Sequence, residues 1–179
     1  MATAAFCKLT KFFNSNTGIT KLQGKENSED REKQMIVNSK IHESVKIWDP
    51  TLVNIYNSTI GEGTKIANFV EIGGAKIGKH CKIEAFAFLP PGTVIEDYVF
   101  IGPHVIATND RYPDVKRADW KHEPITVKKG ASIGAGSVLI AGVTVGENAL
   151  IGAGSIVARD VPKDTVVYGE KAVSRREMK

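Results

Sequence analysis

Aliphatic residues recur at every sixth position over most of this chain. They fall at Ile60, Ile66 and Ile72, then after a five-residue step at Ile77, Ile83, Leu89, Ile95 and Ile101. The beat resumes at Val127, Ile133, Leu139, Val145, Ile151 and Val157. Ile41 and Ile47 start it earlier, with a less regular join over residues 53–59. A period of six matches neither an amphipathic helix nor a half-buried strand. It is the hexapeptide signature of a parallel β-helix, in which three hexads close one triangular coil. Gly61, Gly78, Gly102, Gly134, Gly146 and Gly152 directly follow aliphatics, where a tight corner needs a permissive backbone.

Four residues after each aliphatic sits a small or β-branched side chain. These are Thr64, Val70, Cys81, Ala87, Thr93, Val99, Val105, Ala131, Ser137, Val143, Ala149 and Ser155. They would fill a narrow interior beside the aliphatic column, so Cys81 reads as packing rather than chemistry. The pattern predicts a mainly β chain, a left-handed parallel β-helix of about five coils stacked about 4.8 Å apart. The left hand goes with the hexapeptide repeat and departs from the usual handedness of parallel connections. Residues 162–179 are expected to cap the open end of the stack, with a short helix over 174–178.

The beat stops once. From Ile101 to Val127 is 26 residues where six are due, which predicts a protruding loop over 107–126. Tyr112 and Trp120 lie there among eight charged residues, a composition that favours a structured, functional loop. Residues 1–34 read as a separate extension, disordered or leader-like, because 24–34 contains no aliphatic residue. The β-helix then covers 35–161.

A formal net charge of +4 and a pI near 9.0 invite a nucleic-acid reading. Residues 1–34 hold six basic and four acidic side chains, residues 170–179 four and two, and the remainder 14 of each. The β-helix is therefore neutral, and nucleic-acid binding, which wants an extended basic face, is not expected. No apolar run of 18 residues is free of Gly and charge, so no membrane span is expected. Cys7 and Cys81 form neither a disulfide framework nor a metal spacing, which fits a reducing, cytoplasmic setting.

The candidate chemistry sits around the loop and after it. Ile133, Gly134, Ala135, Gly136 and Ser137 repeat as Ile151, Gly152, Ala153, Gly154 and Ser155, one full coil later. The copies should stack on one edge. There they either make good corners or leave backbone amides open to an extended ligand such as a pantetheine arm. Counting hexads back across the loop places the Ile101 hexad under the Leu139 hexad, and His104 beside the Gly142 corner. Asn109 and Asp110 follow closely. An amide, a carboxylate and an imidazole together could orient a sugar amine and accept its proton; Asn-Asp is also a turn former.

Over roughly residues 38–170 the chain resembles hexapeptide-repeat acyltransferases. It is most similar to those that N-acetylate nucleotide-linked amino sugars, especially 3-amino sugars of surface polysaccharides. The resemblance rests on Leu89, Pro90, Pro91 and Gly92, on Ile95, Glu96 and Asp97, on residues 100–104, on Asp119 and Trp120, and on residues 130–135. Its most specific stretch is Thr108, Asn109, Asp110, Arg111, Tyr112 and Pro113. It implies a homotrimer with active sites between neighbours, acetyl-CoA as cosubstrate along the C-terminal coils, and no metal. By this resemblance Asn109 and Asp110, ahead of His104, meet the reacting amine or the thioester, and the free amine attacks directly. Glu84, Phe86, Arg111, Tyr112 and Trp120 are the implied contacts of the nucleotide-linked amino sugar. Ala135, Gly136, Ala141, Gly142, Ala153, Gly154, Arg159 and Lys171 are the implied contacts of acetyl-CoA. The chain departs from the family at Ala85 and Phe86, where a polar residue or His is common. It departs again at Gly169, Glu170, Lys171 and Ala172, which stand in place of Gly-Asn-Pro-Ala.

Three other readings use the same fold. A γ-class carbonic anhydrase needs three converging histidines, and only His42, His80, His104 and His122 are present, with no His-x4-His pair. A noncatalytic hexapeptide-repeat subunit would have no evident use for the polar loop. An O-acetyltransferase would lean harder on His104 as a base.

Overall fold

The computed structural model describes residues 35–169 and, outside them, the backbone of two short strands, Phe12–Phe13 and Ile19–Lys21. Three parallel sheets wrap one interior, as the six-residue period predicts, in a left-handed β-helix. The first face stacks Lys40–His42, Thr59–Ile60, Lys76–Ile77, Val94–Ile95, Thr126–Val127 and Thr144–Val145. The second stacks Lys46–Ile47, Lys65–Ile66, Lys82–Ile83, Phe100–Ile101, Ser132–Ile133, Leu150–Ile151 and Val166–Val167. The third stacks Ile36–Val37, Asn54–Tyr56, Glu71–Gly73, Phe88–Leu89, Ile106–Ala107, Val138–Leu139 and Ile156–Val157. Ile19–Lys21 pairs antiparallel with Lys40–His42 and with Phe12–Phe13, extending the first face. The rest of 1–34 and the expected helix at 174–178 lie outside the described residues.

Each short strand points one side chain out and the next in, because successive strand residues face opposite sides. The inward positions are the hexad aliphatics, and Ile66, Ile72, Leu89, Ile101, Ile133 and Ile151 are all fully buried. The small partner positions are buried too, from Thr64 through Ala131 to Ser155. Where the small partner is polar it is satisfied locally. Thr64 Oγ1 donates to Gly78 O at 2.9 Å and Ser137 Oγ donates to Gly152 O at 3.0 Å. Cys81 is buried as expected, and desolvation pushes its thiol pKa up, away from thiolate chemistry.

The second and third faces each hold seven strands, where about five coils are expected from the beat. The extra levels come from segments whose period is imperfect: Ile36, Ile55 and Val167 turn inward there without a regular hexad around them. A second difference matters more. Ala107 is fully buried and pairs with Leu139, so it occupies the aliphatic column six residues after Ile101. Ile125 is fully buried as well. The projecting segment is therefore 108–124 rather than 107–126, and Ile101 lies under Ile133, not under Leu139. An alanine in an aliphatic column breaks the sequence beat without breaking the coil, because the interior accepts a small side chain there.

Replacing Ile101 by Ala should cost about 2–5 kcal/mol of stability, the range for emptying a fully buried aliphatic site. Equilibrium urea unfolding measures it. A Cβ at Gly134 would collide with the backbone N of Ala153, so Gly134→Ala should unfold at lower urea than the parent.

Candidate active site

Two corners of the triangle carry the candidate residues. The corner between the second and third faces is a continuous column. Phe69, Phe86 and His104 occupy successive coils with φ of 62°, 62° and 57°, and Gly136 and Gly154 continue it with φ of 68° and 70°. The order is set by backbone bonds: His104 N donates to Ala85 O, Gly136 N to Pro103 O, and Gly154 N to Ala135 O. The three rings stack on one another. Phe69 and Phe86 centroids are 4.9 Å apart, and Phe86 and His104 are 4.6 Å apart and nearly parallel. The left-handed conformation costs a non-glycine residue about 1–2 kcal/mol. Stacking offsets part of that, at about 0.5–1.5 kcal/mol per aromatic pair.

The ring column stops at His104. A Cβ built on Gly136 or Gly154 would meet nothing within 4 Å. Two missing side chains at the positions of the rings leave an open trough along the corner, flanked by Ala135 and Ala153. The amides of Gly136 and Gly154 are already used between coils, so the trough offers a ligand space more than those two donors. On the other side of His104, a groove of about 480 Å³ runs from Trp48 to Phe86 and includes Lys65, Lys82 and Glu84. Lys82 Nζ lies 2.6 Å from Glu84 Oε1.

The loop leaves from a different corner, between the third and first faces. Its polar side chains sew it to the coils. Thr108 Oγ1 accepts from Ala141 N at 2.8 Å, and Arg111 Nη2 donates to Ala141 O at 2.6 Å. Arg111 Nε lies 3.7 Å from Glu123 Oε2, and Gly142 N donates to Glu123 O. Within the loop, Asp110 Oδ1 accepts from Tyr112 N at 2.9 Å and pairs with Arg117 Nη2 at 3.0 Å. Asn109 Nδ2 lies 3.1 Å from His122 Nε2, and the Trp120 ring tilts against His122. Tyr112 is largely exposed.

The structure thus joins Glu84, Phe86, His104, Ala135, Gly136, Ala153 and Gly154 along one corner. It places Asn109, Asp110, Arg111, Ala141 and Gly142 at another, with Arg159 near the C-terminal end. His104 is not beside the Gly142 corner, as the hexad count suggests, but directly under Gly136. The strand between His104 and Thr108 separates the two groups by about 13 Å at four residues of extended chain. Lys171 lies outside the described residues. Trp48, Lys65, Phe69 and Lys82 were not legible as site residues. Lys65 and Lys82, like Phe69 and Phe86, stand 17 residues apart, a spacing that becomes a vertical contact only once the coils are in register, and Trp48 carries no such signal. Among the described residues no three metal-ligating side chains converge.

Comparison with known proteins gives the same architecture. Residues 74–109 and 124–159 match the bacterial transferase hexapeptide model, six repeats in all. The bifunctional protein GlmU of Aquifex aeolicus is 38% identical over 122 residues, which are 68% of this chain and 24% of that protein. The chain thus spans about a quarter of the length of the curated relatives it matches. A hexapeptide-repeat acetyltransferase of Vibrio cholerae, solved with acetyl coenzyme A, superposes with a TM-score of 0.57 at 27% identity, covering 69% of this chain and 72% of that one. The N-acyltransferase AntD of Bacillus cereus, solved with dTDP-4-amino-4,6-dideoxyglucose and coenzyme A, has a TM-score of 0.58 over 82% of this chain and 86% of its own. At 21% identity that likeness is one of fold.

Arg111 is the main tie between loop and coils. Removing it in Arg111→Ala should cost the docked loop about 1.5 kcal/mol and raise tryptic cleavage at Lys116, Arg117 and Lys121 roughly tenfold. Timed proteolysis followed by mass spectrometry reads this, with the thermal transition of the β-helix little changed.

Proposed function

The chain is a hexapeptide-repeat protein of the left-handed β-helix fold, and from that premise we propose that it transfers an acetyl group from acetyl-CoA to the amine of a nucleotide-linked amino sugar. One observation carries the reading: a single corner passes from a ring-lined groove, through His104, into the trough at Gly136 and Gly154. A pantetheine arm lying in the trough brings its thioester to His104, and an acceptor in the groove meets it from the other side. The neutral amine attacks the thioester carbonyl, a C–N bond forms, the C–S bond breaks, and the CoA thiolate leaves. His104 is exposed at this junction and takes the proton that the amine sheds. This order puts His104 ahead of Asp110, whose carboxylate is engaged by Arg117 and the Tyr112 amide.

Asn109, Tyr112, Trp120 and the Arg111-bound corner join the same site when a second copy supplies them. Outward from the third face, Phe88, Ile106, Val138 and Ile156 stand in register on adjacent strands. This apolar ladder lies between the two corners, so a neighbour seated on it lays its loop beside the His104 corner. We therefore read the protein as a homotrimer with shared sites. Glu84 faces the acceptor, and Arg159 reaches the far end of the bound CoA. The nearby folds that hold acetyl-CoA, and a dTDP-linked amino sugar with CoA, support the substrate classes. A packed Cys81 thiol suits a cytoplasmic setting.

Release of free CoA thiol, assayed against a panel of dTDP-, UDP- and GDP-linked amino sugars, tests the reaction. Turnover with hydroxyl acceptors alone would make the protein an O-acetyltransferase instead. His104→Ala should lower kcat by about 10²–10⁴ with KM for acetyl-CoA little changed. Gly136→Phe should extend the ring column into the trough and abolish acetyl-CoA binding, with melting shifted by only a few degrees, since the neighbouring coils already hold rings at this φ. Ile106→Glu should yield monomers by light scattering and lose turnover with them.

A further inference from the structure

We propose that Phe86 is a positioning residue for His104: its ring face, in place of a hydrogen bond, holds the imidazole where the shed proton arrives. The role in turnover rests on the acetyl-transfer reading above. A catalytic base is ordinarily oriented by a third group bonded to it. The histidine ring nitrogens that find such partners are those of His42 and His122. Neither ring nitrogen of His104 has a protein hydrogen-bond partner among the described residues. An exposed side chain so placed exchanges rotamers within nanoseconds unless something else confines it.

The stack supplies the confinement. The Phe86 and His104 rings lie 4.6 Å apart and within 8° of parallel, a close face-to-face contact. Phe86 is itself held from the other side by Phe69, 4.9 Å away. The foot of the column is tied to the preceding coil, where Phe69 N donates to Leu52 O at 2.6 Å. Phe86 is 49% exposed, yet both of its faces are covered, so it can offer a ligand only its edge. It also stands at one of the positions where the chain departs from the family pattern.

The orientation that results is one-sided. Phe86 covers one face of the imidazole, and the other looks along the column toward Gly136, where no side chain stands over it. Both ring nitrogens lie at the free edge. A thioester in the trough therefore meets His104 from the open side, with the imidazole already in place. Misplacing a catalytic group by an ångström can cost about a hundredfold in rate, which is the scale on which such a support acts.

Glycine at 86 tests this cleanly, because it removes the ring and also relieves the left-handed φ of 62°. Phe86→Gly should keep its thermal transition within a few degrees of the parent. Its kcat should fall about tenfold to a hundredfold with KM for acetyl-CoA and for the sugar little changed. Phe86→Leu, which keeps bulk without a π-face, should lose kcat similarly, and Phe86→Tyr should restore it. By proton NMR, without substrates, the Cε1–H resonance of His104, identified by its loss in His104→Ala, should move downfield in Phe86→Gly. Unchanged kcat in the glycine and leucine variants, a raised KM for the sugar at unchanged kcat, or an unmoved His104 resonance would each overturn the assignment. The acetyl-transfer reading fails separately, by absence of thiol release with every amino sugar while the resonance still moves.

Discussion

The width of the coil interior is the constraint on which everything else depends. Three flat faces enclose a space that admits one aliphatic and one small side chain per hexad, packed at the density of an organic crystal. Ile66, Ile83, Ile101, Ile133 and Ile151 stack in line through the second face because their strands pair in register. A side chain of the wrong size in that column is felt by the coils above and below it. The same constraint fixes the corners, since each coil must turn within three residues to bring the next aliphatic inward.

Corners repeat on one vertical line, so whatever they carry becomes a column. At the corner between the second and third faces successive levels carry Phe69, Phe86 and His104, and the last carry Gly136 and Gly154. A left-handed backbone position accepts glycine without cost and a ring at modest cost. The fold is indifferent to which one is present, and so the choice is free to serve ligands. Rings project a wall, and glycines leave a trough. The change of shape along the edge comes from this one substitution pattern, with His104 at the change.

The loop uses the opposite strategy. Residues 108–124 leave the coil entirely and return, held by Thr108, Arg111 and Glu123 against Ala141 and Gly142. These ties are hydrogen bonds and charged contacts at a partly exposed surface, each of modest strength. They orient the loop against its own chain at one corner while the His104 column stands at another. The apolar ladder of Phe88, Ile106, Val138 and Ile156 spans the distance between them.

The β-helix was legible because its period is enforced at every hexad: the aliphatics from Ile60 to Val157 and their small partners are all buried. The stacking of Ile133 on Ile151, with their glycine corners, was legible for the same reason. Asn109 and Asp110 could be singled out by type, and the structure engages both within the loop, Asp110 with Arg117 and Asn109 with His122. What sequence could not supply was register across the loop. Ala107 and Ile125 belong to the coil, yet an alanine carries no aliphatic signal, and the count slipped by one hexad. That slip moved His104 from Gly136 to Gly142. The ring column and the lysine pair were hidden likewise, because residues 17 to 19 apart become neighbours only when strand pairing sets them one above another. Local composition thus determined the coil, and vertical register, a property of hydrogen bonding between coils, decided the site.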